Sequence, residues 1–408
     1  MTDEVAALVL SHNIDQNVAL ANSMFRAHEL AEADESWMRK LESLGLLDRR
    51  LESLPSSAEL RARQASGRGL TCPEKATILA YTKIALKDMV LATDLPEDPF
   101  LADRLVTYFP KPLRERYADV MPAHPLAREI ITTVAVNRFV NSQGATAIHR
   151  LTLETGAAIT DIIRAQLAAR SIFAVGRSEV ALSRLNALDA ALVTELRMEL
   201  RRLVERATRW LAVTKRPPLD IRATIDRYAD GVGRVRASMP AMLTSREQAH
   251  VASDVAAWTA AGASEELALE FAEANYAHTA LGVVAVAQRL GVDEVEAARV
   301  HGGLAERIGL DVMTRQVVAL PQEERWATMA RAALRDDLLG VHSELTAEAI
   351  KVAGIIDNGA GTADAWLAGM PGAAERIATL SQVCQGTPDI ARMSVGLRIV
   401  RSLLPAGE

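Results

Sequence analysis

Between residues 190 and 211, Leu192, Leu196, Leu200, Leu203, Ala207 and Trp210 recur at steps of three or four. That spacing draws an apolar stripe down one side of an α-helix and does not suit a strand, whose faces alternate every second residue. Similar periodicity runs through most of the 408-residue chain. Composition points the same way. The chain is 49% hydrophobic but only 4% aromatic, so its apolar content is carried largely by Ala and Leu, strong helix formers, alongside abundant Arg and Glu. There are no alternating Val/Ile/Thr runs and no Asn-Gly turns between strand patterns. Nor is there a repeat of about 20–50 residues that would mark a solenoid. The expected fold is all-α, with two helical units of short and medium helices.

Punctuation divides the chain further. Residues 1–52 read as long helices broken near Gly45, with Val18, Met24, Leu30, Trp37, Leu41 and Leu44 at mostly helical spacing. A polar connection, SLPSSAELRARQASGRG, covers 53–69 and has room for a short helix. Thr71 and Glu74 have the spacing of a capping box, and Pro73 is tolerated in the first turn. Pro96 and Pro99 stop that helix. Short helices follow in FPKPLRERY and MPAHPLAREI, then three more between 126 and 170, separated around 141–144 and at Gly156. The adjacent prolines of VTKRPPLD, residues 213–220, form the clearest boundary. Beyond it, cap signals stand at Thr244–Glu247 and Asp293–Glu296, and a glycine turn at 357–361 sets off the last helical piece, ending at RSLLPAGE. We expect N-terminal helices and a linker over 1–70, one helical unit over 71–215 and another over 216–408.

Formal net charge is −6. A mildly acidic chain offers no footprint for nucleic acid and no polybasic anchor for anionic lipid, so neither is expected as a partner. No run reaches the roughly 18 consecutive apolar residues of a membrane-spanning helix. Asp3 and Glu4 stand where a secretory signal would carry Lys or Arg, and a cytoplasmic location is expected. Cys72 and Cys384 lie far apart and read as free thiols. Helical sequence is already in stride at Ala6–Leu10, which fits a piece of something longer, although Thr2 could equally cap a natural first helix.

A search for chemistry finds little. Gly231-Val-Gly233 lacks the third glycine and the preceding strand of a dinucleotide-binding turn, and reads as a helix break. The tripeptide of a P-loop is missing. His301-Gly302-Gly303 has no G-x-S-x-G nucleophile to serve and falls inside a helical pattern. His28-Glu29 begins like a zincin motif, yet position 32 is Glu. The eight histidines, at 12, 28, 124, 149, 250, 278, 301 and 342, show no i,i+4 pair, so a metal site would need tertiary assembly. Asp336, Asp337 and Asp357 read as solvated surface. Five tryptophans, at 37, 210, 258, 326 and 366, lie in helical patterns and read as core or interface anchors. The basic face of the 190–211 helix, Arg197, Arg201, Arg202, Arg206 and Arg209, is interleaved with Glu195, Glu199 and Glu205. It reads as a solvated, ion-paired surface and not as a nucleic-acid platform. No catalytic, cofactor-binding or metal-binding residue is assigned.

The order of residues adds one thing that periodicity does not. Residues 67–91, GRGLTCPEKATILAYTKIALKDMVL, resemble a segment in the C-terminal part of the large bacterial NAD-specific glutamate dehydrogenases. Further runs resemble the same family in the same order: LPEDPF, the Tyr108–Asp119 run, REIITT with the asparagines that follow it, RLTLETGA, ELRMELRRLVERATRWL and RWATMARAALRDDL. The opening MTDEVAALVL resembles the junction just beyond that family's catalytic domain. The resemblance implies a large oligomeric parent enzyme that uses NAD to convert L-glutamate to 2-oxoglutarate and ammonia. Its catalytic residues and nicotinamide fold would lie upstream, so NAD is implied for the parent and no cofactor for this chain. The implied partners are the upstream catalytic domain of the same polypeptide and neighbouring subunits. From the residues alone, a stand-alone helical interaction scaffold and a helical-bundle enzyme built from dispersed His, Asp and Glu remain alternatives.

Overall fold

The computed structural model describes residues 2–25, 27–185, 188–320 and 325–405. Met1 and the last three residues of RSLLPAGE therefore lie outside the described residues. Among the described residues there are 21 α-helices, a few short 3-10 turns and no strand, as the helix-forming composition predicts. The chain forms two compact units.

The first unit comprises residues 1–167 and 211–222. It contains α1 (Thr2–Phe25), α2 (Ala31–Ser43), α3 (Ser57–Ala65) and α4 (Cys72–Leu91). These are followed by α5 (Pro99–Tyr108), α6 (Lys111–Tyr117), α7 (Ala127–Gln143), α8 (Ala147–Thr155) and the start of α9 (Ile159–Ile172). Helix α4 is central, packing on α1, α2 and α7. It starts as its sequence predicts: the Thr71 N–H donates to the Glu74 carboxylate at 2.7 Å. A complete capping box opens α3, where Ser56 N–H donates to Glu59 at 2.7 Å and Glu59 N–H donates back to Ser56 Oγ at 3.3 Å. The predicted inner face of α4 is also the observed one. Ile78, Thr82 and Ala85 are buried and Met89 packs beside them, against Trp37, Met38, Leu41, Leu60 and Leu70.

The second unit comprises residues 168–210 and 223–408. It holds α10 (Val175–Ser183), most of α11 (Ala190–Thr214), α12 (Ile221–Ala237), α13 (Ser245–Ala260) and α14 (Glu265–Ala277). Then come α15 (Ala280–Leu290), α16 (Glu294–Ile308), α17 (Leu310–Val318) and α18 (Arg325–Ala353). The unit ends with α19 (Thr362–Ala368), α20 (Ala373–Val383) and α21 (Ile390–Arg401). At 29 residues, α18 is the axis, packing on α15, α16, α17, α19 and α21. The stripe on α11 is buried from Leu192 to Ala207, and Trp210 stands edge-on to Tyr228 at 5.7 Å. Trp37, Trp258 and Trp366 are buried as expected, whereas Trp326 is 70% exposed.

One sequence expectation is overturned here. Gly231 and Gly233 do not break a helix; both sit inside α12. A Cβ on Gly231 would come within 2.9 Å of a Val284 methyl, so this glycine lets α12 approach α15 closely. Gly302 works the same way on α16, where a Cβ would lie 2.6 Å from the Met242 carbonyl oxygen. Backbone cannot swing aside as a side chain can. Gly302→Ala is therefore expected to destabilise the fold by about 1–3 kcal/mol despite alanine's better helix propensity. Gly340 of α18 has open space around its Cβ position, and Gly340→Ala should stabilise by roughly 0.5–1 kcal/mol. Urea unfolding of the two variants checks the opposite signs.

Candidate functional site

The segment 67–91 is where polar chemistry concentrates in the first unit. Lys75, one residue past the Glu74 cap, is 5% exposed and pairs directly with Asp34 of α2, itself 2% exposed. Burial pushes the Asp34 carboxyl up from its ordinary value, and the Lys75 ammonium pulls against that rise. Beside it, Glu35 accepts from Arg49 Nη1 at 2.7 Å and Ser57 Oγ at 2.6 Å, and pairs with Arg39 at 3.0 Å. Burial would raise the Glu35 carboxyl, but these donors outweigh it and hold the group below its usual range. Glu74 spends its second role on Arg63 at 2.8 Å. Trp37 donates its indole N–H to Thr82 Oγ1 at 2.7 Å, and Tyr81 donates its hydroxyl to Glu52 at 2.7 Å. A Cβ on Gly69 would meet the Ala27 carbonyl oxygen at 2.1 Å, so only glycine allows that close pass. The residues that make 67–91 distinctive are thus engaged with residues 27–63.

In the second unit, tertiary structure brings together what sequence spacing kept apart. His301 of α16 and His342 of α18 stack with ring centroids 3.4 Å apart and 17° between planes. Thr346 Oγ1 donates to the His342 carbonyl at 2.8 Å, so it accepts from His301 Nδ1–H at 3.0 Å. His342 Nε2–H donates to the His301 carbonyl at 2.9 Å. This network fixes which nitrogen of each ring donates, Nδ1 in His301 and Nε2 in His342. Burial, and for His301 the adjacent ring, holds the pair well below the usual histidine range, His342 at about 4. Among the described residues no group of three or more His, Cys, Asp or Glu is placed to hold a metal ion. Periodicity could not have found this pair, because its members lie 41 residues apart.

The basic face of α11 departs from the solvated surface expected of it. Arg209 is 4% exposed and pairs with Asp336 of α18 through contacts of 2.6–2.8 Å. Arg206 reaches the C-terminal turn of α14, and Arg202 pairs with Glu199 on α11 itself. Asp337, next to Asp336, pairs instead with Arg401 at 2.8 Å, because adjacent helical residues face different ways. Asp357 is exposed, His28 and Glu29 lie in the turn between α1 and α2, and Cys72 and Cys384 are free thiols. Residues 231–233 do not fit a dinucleotide: lying within α12, their backbone amides are committed to the helix and cannot cradle a pyrophosphate. Among the described residues no helix is long and apolar enough to cross a membrane.

A chain that is all-helical among the described residues, whose charged side chains tie helix to helix and whose one glycine pair reminiscent of nucleotide binding lies within a helix, matches a defined class. Residues 67–402 match the family described as "Glutamate dehydrogenase, C-terminal", and the chain belongs to that family. It is 34% identical over 408 residues to the NAD-specific glutamate dehydrogenase of Mycobacterium tuberculosis, covering 99% of this chain and 25% of that protein. The corresponding enzymes of Pseudomonas aeruginosa and Halomonas elongata are each 32% identical, over 83% and 90% of this chain and 21% and 23% of theirs. The chain therefore spans about a quarter of the length of the relatives it matches, and the resemblance read from the six runs holds.

Two outcomes follow from the buried polar groups. Lys75→Met leaves Asp34 buried without its cation and should destabilise by about 3–5 kcal/mol, most of it recovered when Asp34→Leu is added. Urea denaturation of the single and double variants measures this. The stacked histidines resist protonation when folded but not when unfolded, where the ordinary value is 6.5. Their contribution is therefore complete above that value and lost as pH falls from about 6.5 toward 4, at up to about 1.4 kcal/mol per pH unit for each ring. Buried His278 acts in the same direction, whereas the raised carboxyls of Glu199, Glu247 and Glu273 act in the opposite one. Comparing unfolding at pH 7.5 and 5 with a His301→Leu/His342→Leu variant isolates the pair, and the variant should show the shallower loss.

Proposed function

We propose that this chain is the non-catalytic, C-terminal helical part of a large NAD-dependent glutamate dehydrogenase, with a structural, assembly or regulatory role. The observation that carries this reading is the match of 67–402 to the C-terminal family, together with relatives about four times as long. In the parent enzyme, L-glutamate, NAD and water give 2-oxoglutarate, ammonia and NADH. The chemistry of that hydride transfer belongs to the upstream catalytic domain, and no step of it is assigned to a side chain here. Residues 1–70 serve as the junction with that domain.

Two features support a supporting role over a reactive one. The buried charges of Lys75, Arg49 and Arg209 are each matched by a carboxylate on a helix other than their own segment, which suits a rigid body that holds geometry. Apolar side chains also stay exposed on α1, where Val5, Val9, Leu10 and Ile14 are 44–60% accessible. A face of that kind fits packing against the remainder of the polypeptide or against a neighbouring subunit.

The purified chain, given L-glutamate and NAD, should produce no NADH, and turnover by the chain alone would overturn the reading. Light scattering across a concentration series then separates the roles. A stable dimer or tetramer assigns it to subunit assembly; a monomer assigns it to packing on its own catalytic domain.

A further inference from the structure

His301 and His342 meet on the axis of the second unit, and the ring proton of each is spent on the opposite helix. His301 Nδ1–H donates to Thr346 Oγ1 on α18, and His342 Nε2–H donates to the His301 carbonyl on α16. The pair therefore ties α16 to α18 twice, once in each direction, and the rings stack between the two ties with centroids 3.4 Å apart. The rings are 5% and 9% exposed. A further proton can add only at His301 Nε2 or His342 Nδ1, the nitrogens that do not already donate.

No opposite charge is placed to receive that proton. On α16, Arg299 is held by the Asn358 carbonyl, Arg307 by Asp364 of α19, and Glu306 accepts from the Ser245 N–H. Asp311 of α17 is engaged by Arg246 and Arg315, and Asp336 and Asp337 of α18 by Arg209 and Arg401. Glu344 of α18 and Arg289 of α15 are exposed, and neither these nor half-buried Glu348 bears on either ring. The one charge that bears on His301 is that of His342, and none bears on His342. An added proton is thus a buried charge facing a parallel ring, and burial opposes it.

Glycine packing decides how the pair can respond. A Cβ on Gly302, the residue after His301, would lie 2.6 Å from the Met242 carbonyl oxygen, and one on Gly303 would lie 3.2 Å from the Ala363 methyl. Gly359 approaches the Glu296 carbonyl of α16 as tightly, at 2.4 Å for its Cβ position. These close backbone contacts seat α16 and leave no play for a ring to swing out while the helix stays in place. A protonated ring reaches water only when α16 and α18 part.

We propose that the stacked pair is a proton-operated latch: a proton added to either ring parts α16 from α18 and opens the second unit along its axis, while the first unit stays closed. The response to acid is then a local separation of two helices and not an even loosening of the chain. The latch is independent of the dehydrogenase reading.

Hydrogen exchange of the 408-residue chain, read by mass spectrometry at pH 7.5 and 5 and corrected for the intrinsic pH dependence of exchange, tests it. With the ordinary value of 6.5 restored in the open state, each ring protonated on opening raises the open fraction roughly 30-fold between these two pH values. Protection of α16, and of α18 around His342, should fall by at least that factor while the amides of α4 and α7 keep theirs. Unchanged protection of α16 and α18 overturns the proposal. So does an equal fall in α4 and α7, which marks a general effect of acid. In His301→Leu/His342→Leu the fall should vanish, and a fall of full size there assigns it to other groups and overturns the latch. The comparison of α16 and α18 with α4 and α7 in the unaltered chain needs no variant to fold.

Discussion

A charge taken out of water into the interior of a helical bundle has to meet an opposite charge or a set of aligned dipoles, and this requirement shapes both units of the molecule. In the first, Lys75 and Asp34 are almost fully enclosed and satisfy each other, while Glu35 gathers Arg49, Arg39 and Ser57 around one carboxylate. In the second, Arg209 spans from α11 to Asp336 on α18, and Arg246 from α13 to Asp311 on α17. Apolar burial supplies the driving force for the packing, but leucine and alanine contacts tolerate sliding. Directional ion pairs do not, so they set which turn of one helix faces which turn of the next.

The networks also bear on why a segment can be distinctive and yet carry no reaction. Of the residues in 67–91, Gly69 admits a neighbouring carbonyl, Glu74 both caps a helix and holds Arg63, Lys75 neutralises Asp34, Tyr81 holds Glu52 and Thr82 receives Trp37. Each is specified by a partner far along the chain, and a change at one strands the other in a low-dielectric interior. Such mutual dependence is a physical reason for a particular residue order in a helix whose exposed face is otherwise free to vary.

Much of the helical outline was legible beforehand, for local reasons. Caps at Thr71, Thr244 and Asp293 are read from hydrogen bonds within one turn, and each forms. The three helices between 126 and 170 appear where glycine and polar breaks placed them. The misreading at Gly231 and Gly233 has an equally plain cause. A glycine that breaks a helix and one that lets two helices touch look the same in a single chain, and for Gly231 only the position of Val284 tells them apart, while Gly233 sits in open space on the same helix. The basic face of α11 was misread for the same reason: arginine at helical spacing looks solvated until Asp336 and Asn275 are placed beside it.

Sequence by itself determined the all-helical class, the stripe that buries α11, the inner face of α4 and the family, because periodicity, capping and residue order are local or one-dimensional properties. Tertiary structure alone decided which charges meet and which glycines serve close packing. The stacking of His301 on His342 and the reach of Arg206 to Asn275 depend on helices more than 40 residues apart along the chain coming into register. Desolvation acts on a group only once neighbours from other helices surround it, and nothing in the spacing of the residues announces which neighbours those will be.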